Sequence, residues 1–244
     1  MNVYIVSDFH LKFVENSEEI KRREKVLDFL DSIKNDADLL ILNGDIFDLW
    51  YVWKKFIIKG YFPLLLKLHQ LREMGVRIVF TAGNHDFWFK DFLTGTLGIE
   101  VYEDYFFETI DGVRTFVSHG DRYTTNDLRY QLFRKLIRNK FVMWVFGSLH
   151  PNLALSIGSN MSRSSRKQQV ADNKLNRREQ GLIQFAKDKL KDTDLVILGH
   201  SHLPKIEKFE NGIYANAGDW INNYTYLQMK DGKIKLHKYN KENV

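Results

Sequence analysis

The sequence contains no cysteine, which excludes disulfide cross-links and thiolate metal sites and is compatible with a reducing compartment. It has no apolar run near the roughly 20 residues that a membrane-spanning helix needs. The longest uninterrupted one, Phe141–Phe146, is far shorter, so a soluble or at most peripheral protein is expected. The opening Met-Asn-Val-Tyr-Ile-Val carries no basic leader, apolar core or cleavage site, and no signal peptide is expected. Internal repeats and low-complexity tracts are missing too. What remains is 244 residues with a 44% hydrophobic share and 18 Phe, ample for a core and too apolar for disorder.

The net charge of +5 conceals an uneven distribution. Residues 122–178 hold twelve Lys or Arg against two acids, Asp127 and Asp172, so that this segment is +10 and the other 187 residues are −5. A basic module set into an acidic body points to an anionic partner: nucleic acid, a phosphorylated ligand or an acidic membrane surface.

Five short motifs recur along the chain: Ser7-Asp8-Phe9-His10, Gly44-Asp45, Gly83-Asn84-His85-Asp86, Ser118-His119-Gly120-Asp121 and Gly199-His200-Ser201-His202. Each follows an apolar, β-prone run: Val3–Val6, Leu39–Leu42, Ile78–Phe80, Thr115–Val117 and Leu195–Leu198. Side chains at the carboxyl ends of strands converge in space however far apart they lie in sequence. Asp, Asn and His are the ligands expected for Mn²⁺, Fe²⁺ or Zn²⁺, and a carboxylate can bridge two such ions. Two ions about 3.5–4 Å apart can activate water and clamp a phosphoryl group. Asp8-x-His10 and His200-x-His202 are expected to aim both ligands one way, as alternate residues of an extended segment do. Five of the eight histidines fall inside the motifs; His69, His150 and His237 read as structural or surface residues.

Between the motifs, Ser17–Lys34 and Pro63–Met74 have helical periods, the second stopped by Gly75. Asp111-Gly112, Asn211-Gly212 and Asp231-Gly232 read as hairpin turns. βα alternation followed by hairpins suits two packed sheets with helices outside better than one doubly wound sheet. Residues 122–180 read as a helical insertion over the motif face, bounded by a core of 1–121 and 181–244. In it Leu128–Phe141 has helical spacing, His150-Pro151 breaks the helix, and Ser156–Ser165 leads into a second helix ending near Lys191. Phe141–Phe146, apolar all round, reads by itself as core.

Taken together, Asp8-x-His10, Gly44-Asp45, Gly83-Asn84-His85-Asp86, His119-Gly120-Asp121 and Gly199-His200-Ser201-His202 resemble the signature of the calcineurin-like metallophosphoesterases. The resemblance implies an α/β (α+β) fold, a four-layer αββα sandwich of two mixed sheets with a helical cap insertion, and a dinuclear centre with Mn²⁺ as the expected metal. It assigns Asp8, His10, Asp45 and His202 to one ion and Asp45, Asn84, His119 and His200 to the other. His85, paired with Asp86, is implied to stabilise or protonate phosphoryl oxygens. Asp48 and Asp219 are expected beside the ligands rather than among them.

Further stretches are similar to the UDP-2,3-diacylglucosamine diphosphatase family of lipid A biosynthesis: Gly44-Asp45-Ile46-Phe47-Asp48-Leu49-Trp50, Thr125-Asn126-Asp127, Tyr130-Gln131-Leu132-Phe133-Arg134 and Ala217-Gly218-Asp219-Trp220. That likeness implies cleavage of the nucleotide-sugar lipid to UMP and 2,3-diacylglucosamine 1-phosphate, with acyl chains held in the cap. It implies substrate contacts at Asn84, Asp127, Tyr130, Arg166 and Lys167. It implies a cytoplasmic enzyme peripherally associated with the inner face of the bacterial inner membrane, touching anionic lipid, with no nucleic-acid partner. One position departs: His85 stands where the best-known branch has Arg, which spares the metal set and bears on the substrate. The alternatives are a phosphodiesterase or nuclease with the same metals, and a non-catalytic scaffold; the complete ligand set and His85 count against the scaffold.

Overall fold

Residues alternate between two cores along the central strands. In β1 (Asn2–Val6), β2 (Leu39–Asn43) and β3 (Arg77–Thr81), Val3, Ile5, Leu39, Ile41 and Val79 face one cluster, while Tyr4, Val6, Leu40, Leu42, Ile78 and Phe80 face another. A strand buried on both faces needs an unbroken apolar run, which is what these segments have. The chain is seen in a computed structural model that describes residues 1–14, 16–124, 128–169 and 172–240, with side chains described for all of these except 128, 129 and 161–177.

The remaining strands are β4 (Glu100–Tyr102), β5 (Phe106–Ile110), β6 (Val113–Val117), β7 (Leu195–Leu198), β8 (Lys205–Phe209), β9 (Gly212–Asn216), β10 (Thr225–Lys230) and β11 (Lys233–Lys238). One six-stranded sheet has the order β11-β10-β1-β2-β3-β4, and a five-stranded sheet has the order β5-β6-β7-β9-β8. Both are mixed: β1–β4 pair in parallel with β10 and β11 antiparallel, and in the second sheet β6-β7-β9 are parallel between antiparallel hairpin strands. Two hairpin turns fall at Asp111-Gly112 and Asp231-Gly232, as expected, whereas the third falls one residue earlier than expected, at Glu210-Asn211, and Gly212 opens β9.

Layering follows from which face each helix covers. α1 (Ser17–Ile33) and α2 (Phe62–Glu73) bury Val26, Phe29, Leu30, Leu64 and Leu68 on the outer face of the first sheet. Val3, Ile5, Ile41, Val117, Ile197 and Ala215 fill the space between the sheets. Leu182, Ala186 and Leu190, at the end of α6 (Asp172–Lys189) and just beyond, cover Phe116, Val196 and Tyr214 on the far side. The result is the four-layer αββα sandwich with two mixed sheets. Each large aliphatic side chain buried this way contributes roughly 1.5–3 kcal/mol.

Three further helices, α3 (Leu128–Ile137), α4 (Lys140–Ser148) and α5 (Pro151–Gln169), lie between β6 and α6. α4 starts where the Asn139 side chain caps the backbone N–H of Phe141 at 2.9 Å. Pro151 does more than break a helix: it opens α5 at the first helical position, where its missing N–H costs nothing. Ser156–Ser165 is the interior of α5 and not a connector. The apolar run Phe141–Phe146 is not core on all sides: Phe146 is buried against Tyr51 and Trp88, whereas Phe141 and Trp144 are 68% and 67% exposed. Helix α6 runs without a break past residue 180 into the outer layer. No helix among the described residues is long and apolar enough to cross a membrane.

Candidate metal centre

All five motifs lie immediately beyond the carboxyl ends of β1, β2, β3, β6 and β7, and backbone hydrogen bonds lace their loops together. Asp8 and His10 donate to the carbonyls of Gly44 and Asp45 at 3.1 and 2.8 Å, and Gly199 donates to His119 at 2.9 Å. Such close packing needs Gly44, whose φ is +74°; a Cβ there would lie 2.7 Å from the His119 ring.

Five of the seven expected ligand residues are not extended. Asp8, His10, Asp45, His200 and His202 all have positive φ, between 45° and 64°. The expectation that alternation along a strand aims the Asp-x-His and His-x-His pairs is therefore corrected: left-handed turns do so. Non-glycine residues in that region cost of order 1–3 kcal/mol each and cluster where function requires them.

Among the described residues, two groups of side chains carry the expected ligands, Asp8 with His10 and His202, and Asp45 with His119 and His200, each with donor atoms within 4.8 Å of one another, and a further group of the same kind joins His10 to Asp48 and His85. They adjoin, since His10 Nε2 is 3.6 Å from both Asp8 Oδ1 and Asp45 Oδ2. Asn84 Oδ1 joins the second group, 3.2 Å from His119 Nε2. His119 Nδ1 donates to the Asn43 carbonyl at 3.1 Å, which leaves the Nε2 lone pair directed inward. In the same way Asp219 Oδ2 lies 3.4 Å from His202 Nδ1 while Nε2 reaches to 3.1 Å from Asp8 Oδ1. Asp219 is itself fixed, its Oδ1 accepting from the backbones of Ile221, Asn222 and Asn223.

These donors fit divalent cations. Among the described residues, Asp8 Oδ1, Asp45 Oδ2 and both ring nitrogens of His200 are buried without a hydrogen-bond partner. Burying unsatisfied carboxylate oxygens is costly unless a positive charge meets them. Burial alone would raise the Asp8 and Asp45 carboxyls, but the neighbouring histidines outweigh it and hold both below the usual range. Burial would lower His119 and His202, yet the facing carboxylates push each up to about 10. A cation competes with those protons for the same lone pairs. His200 is held well below its ordinary value by burial, with Arg178 and His119 adding to the effect, so it offers a free lone pair.

His85 stands beside this cradle, its ring 4.9 Å from that of His10. Its Nδ1 is 2.9 Å from the Asp48 carbonyl, which can only accept, so Nδ1 carries a proton and the unpartnered Nε2 is the free end. The expected pairing of His85 with Asp86 is not found. The Asp86 carboxylate instead accepts from the backbone N–H groups of Asp45, Ile46, Phe47 and Gly83 at 2.7–3.1 Å. It holds the Gly44-Asp45 loop against the third motif. His85 is positioned through its backbone, donating from N to Asp45 Oδ1 at 2.8 Å.

Of the other expected contacts, Tyr130 is near the cradle, with its ring 5.8 Å from His200 and its hydroxyl 3.5 Å from Asp121 Oδ2. Asp127 lies outside the described residues; Arg166 and Lys167 belong to α5, but their side chains lie outside the description. His69, His150 and His237 are away from the centre, the last stacked on Tyr226. Three residues that the motifs do not single out connect the helical insertion to the centre. Arg134 pairs with Asp121, Arg138 donates to the Gly83 carbonyl at 2.9 Å, and Glu179 of α6 accepts from Ser201, the residue between His200 and His202. In sequence Arg138 and Glu179 are indistinguishable from solvated charges on helix faces, while Arg134 closes the stretch Tyr130-Gln131-Leu132-Phe133-Arg134 that carries part of the resemblance.

A family model described as calcineurin-like phosphoesterase matches residues 1–204. The chain is 28% identical over 242 residues to a protein of Porphyromonas gingivalis named UDP-2,3-diacylglucosamine hydrolase, covering 92% of each. It is 29% identical over 244 residues to a protein of the same name from Shewanella baltica, covering 97% of this chain and 96% of the other. Among solved structures, one titled as a novel archaeal phosphodiesterase superposes with a TM-score of 0.51 at 14% identity, over 97% of this chain and 99% of that one, a likeness of fold.

Proposed function

The chain belongs to the calcineurin-like phosphoesterases, and from that premise we propose that it hydrolyses the diphosphate of UDP-2,3-diacylglucosamine, giving UMP and 2,3-diacylglucosamine 1-phosphate in lipid A biosynthesis. The observation that carries the choice of substrate is the composition of the helices beside the centre. α3, α4 and α5 expose Leu132, Leu136, Phe141, Trp144, Leu153 and Ile157 in a segment whose net charge is strongly positive. Exposed apolar area on that scale marks a binding surface. Apolar area beside concentrated cationic charge suits acyl chains joined to a diphosphate. The full-length likeness to proteins named for this substrate supports the same reading.

One ion is assigned to Asp8, His10, Asp45 and His202, the other to Asp45, Asn84, His119 and His200, with Mn²⁺ as the proposed metal. When bound, such a pair supplies acidified water and positive charge for the phosphoryl oxygens. The protein does the rest. The Asp86 carboxylate and the Asn43 carbonyl keep Asp45 and His119 in place, and Asp219 orients His202. His85, with Nδ1 fixed on Asp48, presents Nε2 to the phosphoryl group and stabilises its developing charge. Water oxygen forms the new bond to phosphorus as one P–O bond of the diphosphate breaks, and both products leave as phosphomonoesters. Asp127, Tyr130, Arg166 and Lys167 are proposed to hold the sugar and phosphates. The exposed apolar face is proposed to rest on anionic lipid at the inner face of the inner membrane, from which the substrate is drawn.

Incubation with Mn²⁺ and the diacyl substrate should release UMP. Brisk hydrolysis of a soluble phosphodiester with no UMP from the lipid would sink the substrate assignment and spare the metal centre. A nuclease would be favoured by strong, salt-dependent binding of single-stranded DNA.

A further inference from the structure

Arg138, the residue after α3, packs directly on the third motif. Its Nη2 donates to the Gly83 carbonyl at 2.9 Å, and its guanidinium carbon lies 4.5 Å from the centre of the Phe87 ring. Its two contacts thus fall on Gly83 and Phe87, the residues that flank Asn84-His85-Asp86. Two other arginines of this region have carboxylate partners, Arg134 with Asp121 and Arg122 with Asp104. Arg138 has none among the described residues: its one hydrogen-bond acceptor is a neutral carbonyl, and its buried Nε has no partner. The nearby Asp121 carboxylate favours the Arg138 charge but is already paired with Arg134, so a partly buried guanidinium with an unmet N–H gains from an arriving anion. Arginine's planar fork can keep one N–H on a carbonyl while the others bind phosphate oxygens.

We propose that Arg138 is a phosphate-binding residue of this centre, a cation supplied by the helical insertion to the phosphoryl group that reacts beside Asn84 and His85. The inference rests on the phosphohydrolase reading of the site but not on the lipid. The insertion then contributes to the charge of the reaction site itself, and phosphate affinity depends on how α3 is seated. Seating is governed by neighbouring contacts: Arg134 on Asp121, Gln131 Nε2 on the Asp121 carbonyl at 3.1 Å, and Trp88 Nε1 on the Ile137 carbonyl at 3.2 Å.

The test is calorimetric titration of the Mn²⁺-loaded full chain with inorganic phosphate, for wild type, Arg138→Gln and Arg138→Lys. The glutamine amide can still donate to Gly83 but has no charge, which guards against a variant that fails to fold. R138Q should bind phosphate roughly tenfold to a hundredfold more weakly with metal content unchanged, and R138K should recover part of the loss. With the diacyl substrate, R138Q should raise KM more than it lowers kcat. Equal phosphate affinity in wild type and R138Q, a lowered melting temperature as the only effect, or no phosphate binding by wild type would each overturn the proposal. Phosphate binding that depends on Arg138 in a protein that releases no UMP would retain it and reject the lipid substrate.

Discussion

At the scale of single residues, the centre is made of side chains whose roles are separated by hydrogen bonds rather than by type. His85 and His119 are both histidines with Nδ1 on a backbone carbonyl, but Nε2 of His119 lies 3.3 Å from Asp45 Oδ2 and 3.2 Å from Asn84 Oδ1, while Nε2 of His85 is buried with no hydrogen-bond partner. Replacing His85 with alanine should therefore leave bound Mn²⁺ at wild-type stoichiometry and lower UMP release about 10²- to 10⁴-fold. Metal analysis beside steady-state rates checks both halves, and unchanged turnover would reject the role. Asp86 predicts the opposite pattern. Removing an acceptor shared by four backbone N–H groups leaves them buried and unmet. Asp86→Ala should lose roughly 3 kcal/mol or more of stability in denaturant unfolding. The residue types at these positions were legible in the sequence; the division of labour between His85 and Asp86 was not, because adjacency along the chain does not imply a shared hydrogen bond.

At the scale of elements, strands and turns were read closely and the helical insertion less so. The β runs, two of the three hairpin turns and the stop at Gly75 depend on local chemistry, and they fall where composition and glycine put them, while the third turn lies one residue ahead of its glycine. The turns after β1, β2 and β7 were missed because a left-handed Asp or His has no local signature. α6 matters for the same reason. Its Glu179 accepts from Ser201, which also accepts from Asn216 Nδ2 at 2.9 Å, so a helix continuous with the insertion braces the turn carrying His200 and His202. Glu179→Ala should weaken Mn²⁺ binding about 10- to 100-fold, the usual cost of removing such support. Glu179→Gln, which keeps an acceptor for Ser201, should retain most of the affinity. Equal affinity for E179A and wild type would show that the brace is not needed.

At the scale of the molecule, the centre joins two sheets that otherwise meet through their apolar interface and edge ion pairs such as Arg77 with Glu108. Asp8, His10, Asp45 and Asn84 come from loops of the first sheet, and His119, His200 and His202 from loops of the second. Ions held between them should stabilise the whole fold. Saturating Mn²⁺ at about 100 times its Kd adds about 2.7 kcal/mol per independent site, so melting temperature should rise with Mn²⁺ and fall with a chelator. The exposed face of α4 makes a separate prediction. Phe141→Ser with Trp144→Ser should cut co-sedimentation with anionic vesicles severalfold, and should change stability by less than about 1 kcal/mol because both rings are already in water. Undiminished vesicle binding would remove the proposed lipid contact.

Sequence alone determined the layers and the set of candidate ligands, because unbroken apolar runs, glycine turns and Asp, Asn and His are properties of single residues and near neighbours. Tertiary structure decided which of these side chains meet. It put five of the seven ligands in strained left-handed turns, gave Asp86 to the backbone of another loop and turned Phe141 and Trp144 outward. It also set Arg138 and Glu179 against motifs about 55 and 22 residues away. Each of those outcomes depends on contacts between segments remote in sequence, and no local pattern encodes them.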